Sequence, residues 1–208
     1  RPPLPPRAGH LNKEAMMSKT PTIRFWRGQL PHWEVVDADY FIAMRLAGTL
    51  PHFLKEELQQ IINDANGRGC RNTSRKYFVK MEAWLDNDRT NMILIQDQIA
   101  KILTSTFEIY ESKDICKFYS YVIMPNHIHW FFRPLNQSMS DIIQNFKRIT
   151  ARMANQSLGR TGRRFWQKEW FDHWSRAPEE SEKIIQYIRN NPVKAGLVAK
   201  PEDWPYLK

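Results

Sequence analysis

Apolar positions cluster in a strand-like run over Asp39–Leu46, where Tyr40, Phe41, Ile42 and Met44 are closed off by Gly48 and Pro51. From Phe53 the period lengthens, and Leu54, Leu58, Ile61 and Ile62 share one helical face until Asn66-Gly67-Arg68-Gly69 breaks it. A second helical piece is predicted from Tyr77 to Leu85. A third is predicted from Met92 to Phe107, with Ile93, Ile95, Ile99, Ile102 and Leu103 inward. Two apolar runs, Phe118–Ile123 and Ile128–Phe132, flank Pro125-Asn126, which reads as a tight hairpin link. Ser138–Asn155 is a helix with Ser140 as N-cap and Ile142, Ile143, Phe146, Ile149 and Met153 on its buried face; Gly159 and Gly162 end it. Phe165–Trp174 is dense in aromatics and is predicted to be the last strand. Pro178-Glu179-Glu180 opens a final helix, which should stop near Asn190 because Asn191 precedes Pro192. Residues 21–36 hold Phe25, Trp26 and Trp33 without a clear period.

The order strand, helices, strand, strand, helix, strand, helix predicts an α+β fold. The natural assembly is a ferredoxin-like (RRM-like) four-stranded antiparallel sheet with helices on one face. The opposite face would stay free, and the final helix would reach over it. Residues 21–208 are taken as one domain. Residues 1–20 begin with proline-rich Arg1-Pro2-Pro3-Leu4-Pro5-Pro6 and are expected to be a disordered or non-native tail.

Composition adds a partner. The chain has 208 residues, 42% of them hydrophobic, which suffices for one globular core. Lys and Arg number 31 against 22 Asp and Glu, giving a formal charge of +9 that favours a polyanion. Cys70 and Cys116 stand apart, so neither a disulfide framework nor a zinc knuckle is indicated. Apolar runs are too short to span a bilayer and no signal peptide is visible. A cytoplasmic, nucleoid-associated location without membrane contact is expected.

The chemistry concentrates in Met124-Pro125-Asn126-His127-Ile128-His129-Trp130. A strand repeats every two residues, so His127 and His129 share a face, away from Ile128, Trp130 and Phe132. They read either as half-buried structural histidines or as a pair gripping one divalent cation; imidazoles do not choose between magnesium, manganese and zinc. In the final helix Tyr187 sits at the edge of the Ile184, Ile185, Ile188 stripe, with Lys183 one turn before and Asn191 one turn after. That setting suits a reactive phenol, although a rim tyrosine would look alike. Trp166, Trp170 and Trp174 recur every fourth position and are expected mostly in the core; His173 is a structural histidine or a further ligand. Lys147, Arg148 and Arg152 lie opposite the apolar face of their helix and are candidates for DNA phosphate contact, as are Arg176, Arg189 and Lys194.

These residues resemble the small single-tyrosine transposases of insertion sequences, in particular the branch of REP-associated tyrosine transposases. The likeness runs in order from about residue 26 to 208. It includes Asp37–Leu46, Met124–Trp130, Phe146-Lys147-Arg148, Phe165-Trp166-Gln167, Asp172-His173 and Tyr187–Val198. It implies a histidine–hydrophobe–histidine endonuclease, with Tyr187 as nucleophile and His127 and His129 as ligands of Mg2+ or Mn2+. Asn191 matches the position of the third ligand. The substrate implied is single-stranded, hairpin-forming DNA, cut through a 5′-phosphotyrosine, by a monomer or a homodimer. Other classes stay open: a catalytically silent hairpin-binding regulator, or a metal phosphodiesterase that activates water. A replication nickase shares the histidine motif, but the Asn191–Gly196 block argues against it.

Overall fold

The structure is a computed structural model that describes residues 21–64 and 70–208; the tail 1–20 and the Asn66–Gly69 break lie outside the described residues. The elements are β1 (Thr22–Arg27), β2 (Pro31–Val35), β3 (Asp39–Arg45), α1 (His52–Asp64), α2 (Cys70–Asn87), α3 (Asp97–Ser112), β4 (Cys116–Ile123), β5 (His127–Pro134), α4 (Met139–Ser157), β6 (Phe171–Ser175) and α5 (Pro178–Lys194). The main sheet is antiparallel in the order β4-β5-β3-β6, the ferredoxin-like arrangement expected from the pattern. The C-terminal segment adds backbone bonds to β4: the Ile123 N–H donates to Tyr206 O at 2.9 Å and the Lys208 N–H to Tyr121 O at 3.0 Å.

The sheet divides two cores. Tyr40, Ile42 and Met44 of β3 and Ile128, Trp130 and Phe132 of β5 face α3 and α4. Phe41, Ala43 and Phe131 face the other way, toward Leu54 and Leu58 of α1, Tyr77, Met81 and Leu85 of α2, and Ile188 of α5. The expected helices on one face are α3 and α4. The second face is not free, because α1, α2 and α5 cover it. The long β3–α3 connection carries its own apolar stripes, and these need a partner surface to leave water.

Local differences have local causes. A short 3-10 turn, Ile93–Ile95, and the extended Gln96 delay α3 to Asp97, although Leu94 is fully buried as its pattern suggested. The N-cap of α4 is Ser138, whose Oγ accepts from the Asp141 N–H at 3.1 Å; Ser140 lies inside the first turn, and its own N–H donates to Glu34 Oε1 at 2.9 Å. Met153 is 45% exposed, because the 3.6-residue period carries the inner stripe to Thr150 and Ala154 instead. The last strand is shorter than the aromatic run. Phe165 and Trp166 are core side chains, and the Trp166 indole donates to Thr150 Oγ1 at 2.9 Å. α5 continues through Pro192 to Lys194: the proline forfeits one ladder donor, but Asn191 and Pro192 are buried and packing holds the last turn. The β1–β2 hairpin gave no alternation because β1 is largely exposed on both sides.

Candidate functional site

β5 holds His127 and His129 on the same face, both buried under α2. Between them reaches Glu82 from α2, itself buried. Glu82 Oε1 lies 3.1 Å from His127 Nε2 and 2.8 Å from His129 Nε2, and the two Nε2 atoms are 3.1 Å apart. Asn126 fixes the polarity of this triangle. Its amide nitrogen donates to the carbonyls of Leu85 at 3.1 Å and Asp88 at 3.4 Å, so its Oδ1 faces His127 Nδ1, at 2.7 Å, as an acceptor. His127 therefore carries its proton on Nδ1 and turns the Nε2 lone pair toward Glu82.

Two lone pairs at close range repel unless something positive lies between them. Bonds of ~2.1 Å set at right angles hold neighbouring ligand atoms about 3 Å apart, and the three separations match that spacing. The donor set is also right for a cation. Burial would raise the Glu82 carboxyl, but the two imidazoles prevail and hold it far below the usual carboxylate range. Burial, opposed by Glu82, lowers His129 and keeps it neutral. Among the described residues, Glu82, His127 and His129 form a group able to hold a metal ion, and they fit one.

α5 closes the site. The Tyr187 ring stands 5.6 Å from that of His129 and 5.8 Å from that of Phe41. Its hydroxyl is buried without a hydrogen-bond partner, as are both amide atoms of Asn191, Glu82 Oε2, Asp86 Oδ1 and His129 Nδ1. So many unsatisfied atoms in one place are costly in an ordinary core, and they mark a cluster built to receive something polar. Burial first, then the Glu82 and Asp86 carboxylates, push the Tyr187 phenol far above its ordinary value. Lys194 Nζ binds Asp86 Oδ2 at 2.7 Å and lies 5.8 Å from the centre of the Tyr187 ring.

The structure thus brings together His127, His129, Tyr187, Asn191 and Lys194, and adds Glu82 and Asp86, which the sequence reading passed over. A signal existed. Phe78, Glu82 and Asp86 recur every fourth residue beside the Tyr77, Met81, Leu85 stripe, so this pair of carboxylates adjoins an apolar face.

The remaining cations lie elsewhere. Arg148 and Arg152 are exposed on α4. Lys147 is not: its ammonium donates to Gln167 O at 2.6 Å and Lys168 O at 2.7 Å, and burial lowers its pKa to about 8. Arg176 stacks over Trp174 at 4.0 Å, and Arg189 pairs with Glu202 at 3.1 Å. His173 is hydrogen-bonded to Glu180 Oε1 at 2.8 Å, which is a structural partner. Among the described residues no helix is long and apolar enough to cross a membrane.

A family model described as Transposase IS200 like matches residues 82–191, more than half of the chain. The chain belongs to this family. The matched span opens on Glu82 and closes on Asn191, so it contains Glu82, Asp86, His127, His129, Tyr187 and Asn191 of the cluster. The REP-associated tyrosine transposase of Escherichia coli K12 is 23% identical over 137 residues, which cover 64% of this chain and 79% of that protein. A relative from Haemophilus influenzae is 26% identical over 132 residues, covering 55% of this chain and 74% of its own length. A solved REP-associated tyrosine transposase bound to a REP hairpin superposes with a TM-score of 0.54 at 15% identity, over 88% of this chain and 80% of that one. The resemblance to REP-associated tyrosine transposases is borne out.

Proposed function

We propose that this transposase cuts and rejoins single-stranded DNA at REP-like hairpins through a covalent 5′-phosphotyrosine on Tyr187. The observation that supports this most is the convergence, in one buried cluster, of the Glu82–His127–His129 triangle and an unpartnered Tyr187 hydroxyl. A divalent ion, Mg2+ or Mn2+, held by His127, His129 and Glu82 with Asn191, would supply Lewis acidity toward a scissile phosphate. Asn126 orients His127 for that task. Tyr187 Oη attacks phosphorus, the bond from phosphorus to O3′ breaks, the phenol gives up its proton and the departing O3′ takes one up. Attack by a 3′-hydroxyl on the phosphotyrosine reverses the step, so rejoining needs no nucleotide cofactor. Burial around Tyr187 excludes water, which favours rejoining over hydrolysis. The test is incubation with single-stranded hairpins flanking the protein's own gene, with magnesium or manganese. A covalent protein–DNA band on a denaturing gel supports the reading, and clean cleavage without the band refutes it.

Asn191 carries its own prediction. With neither amide atom partnered, Asn191→Ala should weaken metal affinity and slow cleavage ~10–100-fold. A wild-type rate at limiting metal would reduce Asn191 to helix packing.

DNA phosphates are expected along the exposed side of α4. Lys147 spends its donors on the 167–168 backbone, so Arg148 and Arg152 carry the contact there. Arg176 before α5, and Arg189 and Lys194 on it, are further candidates across the sheet from α4. Each single-strand phosphate contact adds about 0.7 to the slope of log affinity against log salt. Neutralising Arg148 and Arg152 together should flatten it by roughly 1.4 and weaken all sequences alike. An unchanged slope would show a merely solvated face.

A further inference from the structure

For Tyr187 to act, α5 must stand in one place over the metal cluster, yet little apolar packing holds it there. Among its aliphatic side chains Ile188 alone is fully buried, while Ile184 and Ile185 are half-buried. Polar groups tie its two ends instead. At the N-terminal end Glu180 Oε2 accepts from the Arg176 N–H at 2.8 Å, and Glu180 Oε1 meets His173 Nε2 at 2.8 Å. At the C-terminal end Lys194 Nζ donates to Asp86 Oδ2 at 2.7 Å, and the Arg89 guanidinium donates to the carbonyl of Ala195.

The C-terminal tie reaches the site itself. Tyr187, Asn191 and Lys194 follow one another at i, i+4 and i+7, so one face of α5 presents all three. Asp86 comes one turn after Glu82 on α2. It is 6% exposed, and its two oxygens have different surroundings. Oδ2 is taken by Lys194, whereas Oδ1 is buried without a hydrogen-bond partner, 4.0 Å from His127 Nε2. The same stretch of α2 is held to the histidine strand by Asn126, whose amide donates to the carbonyls of Leu85 and Asp88. The end of α2 therefore grips the histidine strand on one side and the tyrosine helix on the other.

Lys194 was also a candidate for phosphate contact, but its ammonium is already committed to a carboxylate. An ion pair between two exposed groups contributes little. Asp86 is not exposed: it has left water and depends on its cation. Without Lys194 it would be a second buried carboxylate beside His127, free to turn toward an ion held there, and the last turn of α5 would lose its anchor. We propose that Lys194 and Asp86 are a positioning pair for the cleavage reaction, which fixes Tyr187 and Asn191 over Glu82, His127 and His129. Lys194 then acts through the helix and not on DNA. The inference rests on the Tyr187 reading above.

The test compares wild type with Lys194→Met, Lys194→Arg, Asp86→Asn and the double variant Lys194→Met/Asp86→Asn, each checked by a melting curve. One readout is single-turnover cleavage of a REP-like hairpin with manganese. The other is fluorine NMR of protein labelled with fluorotyrosine, in which manganese alone broadens the Tyr187 line, assigned by its loss in Tyr187→Phe. Lys194→Met should slow cleavage about 10–100-fold and reduce the broadening, with hairpin affinity and its salt slope unchanged. Lys194→Arg, which keeps a cation for Asp86, should recover most of both. The double variant should be no slower than Lys194→Met, because the two side chains act as one unit. It also removes the unpaired buried charge, so it serves if Lys194→Met does not fold. Wild-type rate and broadening in the folded double variant overturn the proposal, as do losses that multiply. So does a salt slope lowered by about 0.7 in Lys194→Met, the mark of one phosphate contact. Broadening that depends on Lys194 in a protein giving no adduct keeps the positioning pair and removes the nucleophile; an adduct with broadening indifferent to Lys194 does the reverse.

Discussion

Tyr187→Phe is expected to abolish cleavage and the covalent adduct while leaving hairpin affinity within a few-fold. The substitution removes one oxygen from a half-buried ring packed against Phe41, Phe78 and His129. That oxygen makes no close hydrogen bond and only faces Glu82 and Asn191, so stability should change little. Loss of an attacking atom is different in kind from loss of a supporting contact, and a fall of at least ~1,000-fold is expected. Cleavage that persists in the folded variant would remove Tyr187 from the chemistry and favour activated water.

The raised phenol sharpens that prediction. Burial and two carboxylates keep Tyr187 protonated in the resting cluster, so on the proposed mechanism a phenolate forms only when positive charge is brought in. DNA without metal should therefore give binding but no adduct. A silent regulator would need none of this: a polar cluster costs stability, and a hairpin-binding surface gains nothing from placing an unpartnered phenol beside two histidines.

What the sequence made legible follows from which signals are local. The strand period put His127 and His129 on one face, and the i, i+4 spacing put Tyr187 and Asn191 on one side of α5; both hold. The order of apolar runs yielded the antiparallel sheet. Glu82 escaped because its role depends on where α2 docks, a long-range fact that no local period encodes. A glutamate in an amphipathic helix ordinarily faces water. The same docking covers the histidine face expected to be free. Lys147 looked like a DNA contact for a related reason: helix geometry placed it opposite the apolar stripe, but the 165–170 segment folds back over it. The continuation of α5 past Asn191 was hidden by the local cost of Pro192, which burial outweighs.

The metal centre makes the second large prediction. Replacing His127 and His129 together by Ala should eliminate heat of metal binding in calorimetry and all metal-dependent cleavage. Supporting residues around a metal are worth ~10–100-fold, so loss of two direct ligands should exceed that range. The open strand face expected from sequence would have made this change mild for folding. The actual burial of both rings predicts a marked loss of stability instead, because removing two buried side chains leaves a cavity beside the buried Glu82 carboxylate. Glu82→Gln separates the effects. It keeps the volume, removes the charge that must be neutralised, and should leave the apo protein folded while cutting metal affinity and cleavage together. If metal titrates identically into wild type and Glu82→Gln, the carboxylate is a structural partner of the histidines and not a ligand. If it titrates identically into the folded double alanine variant, the histidines themselves are structural and the ion lies elsewhere.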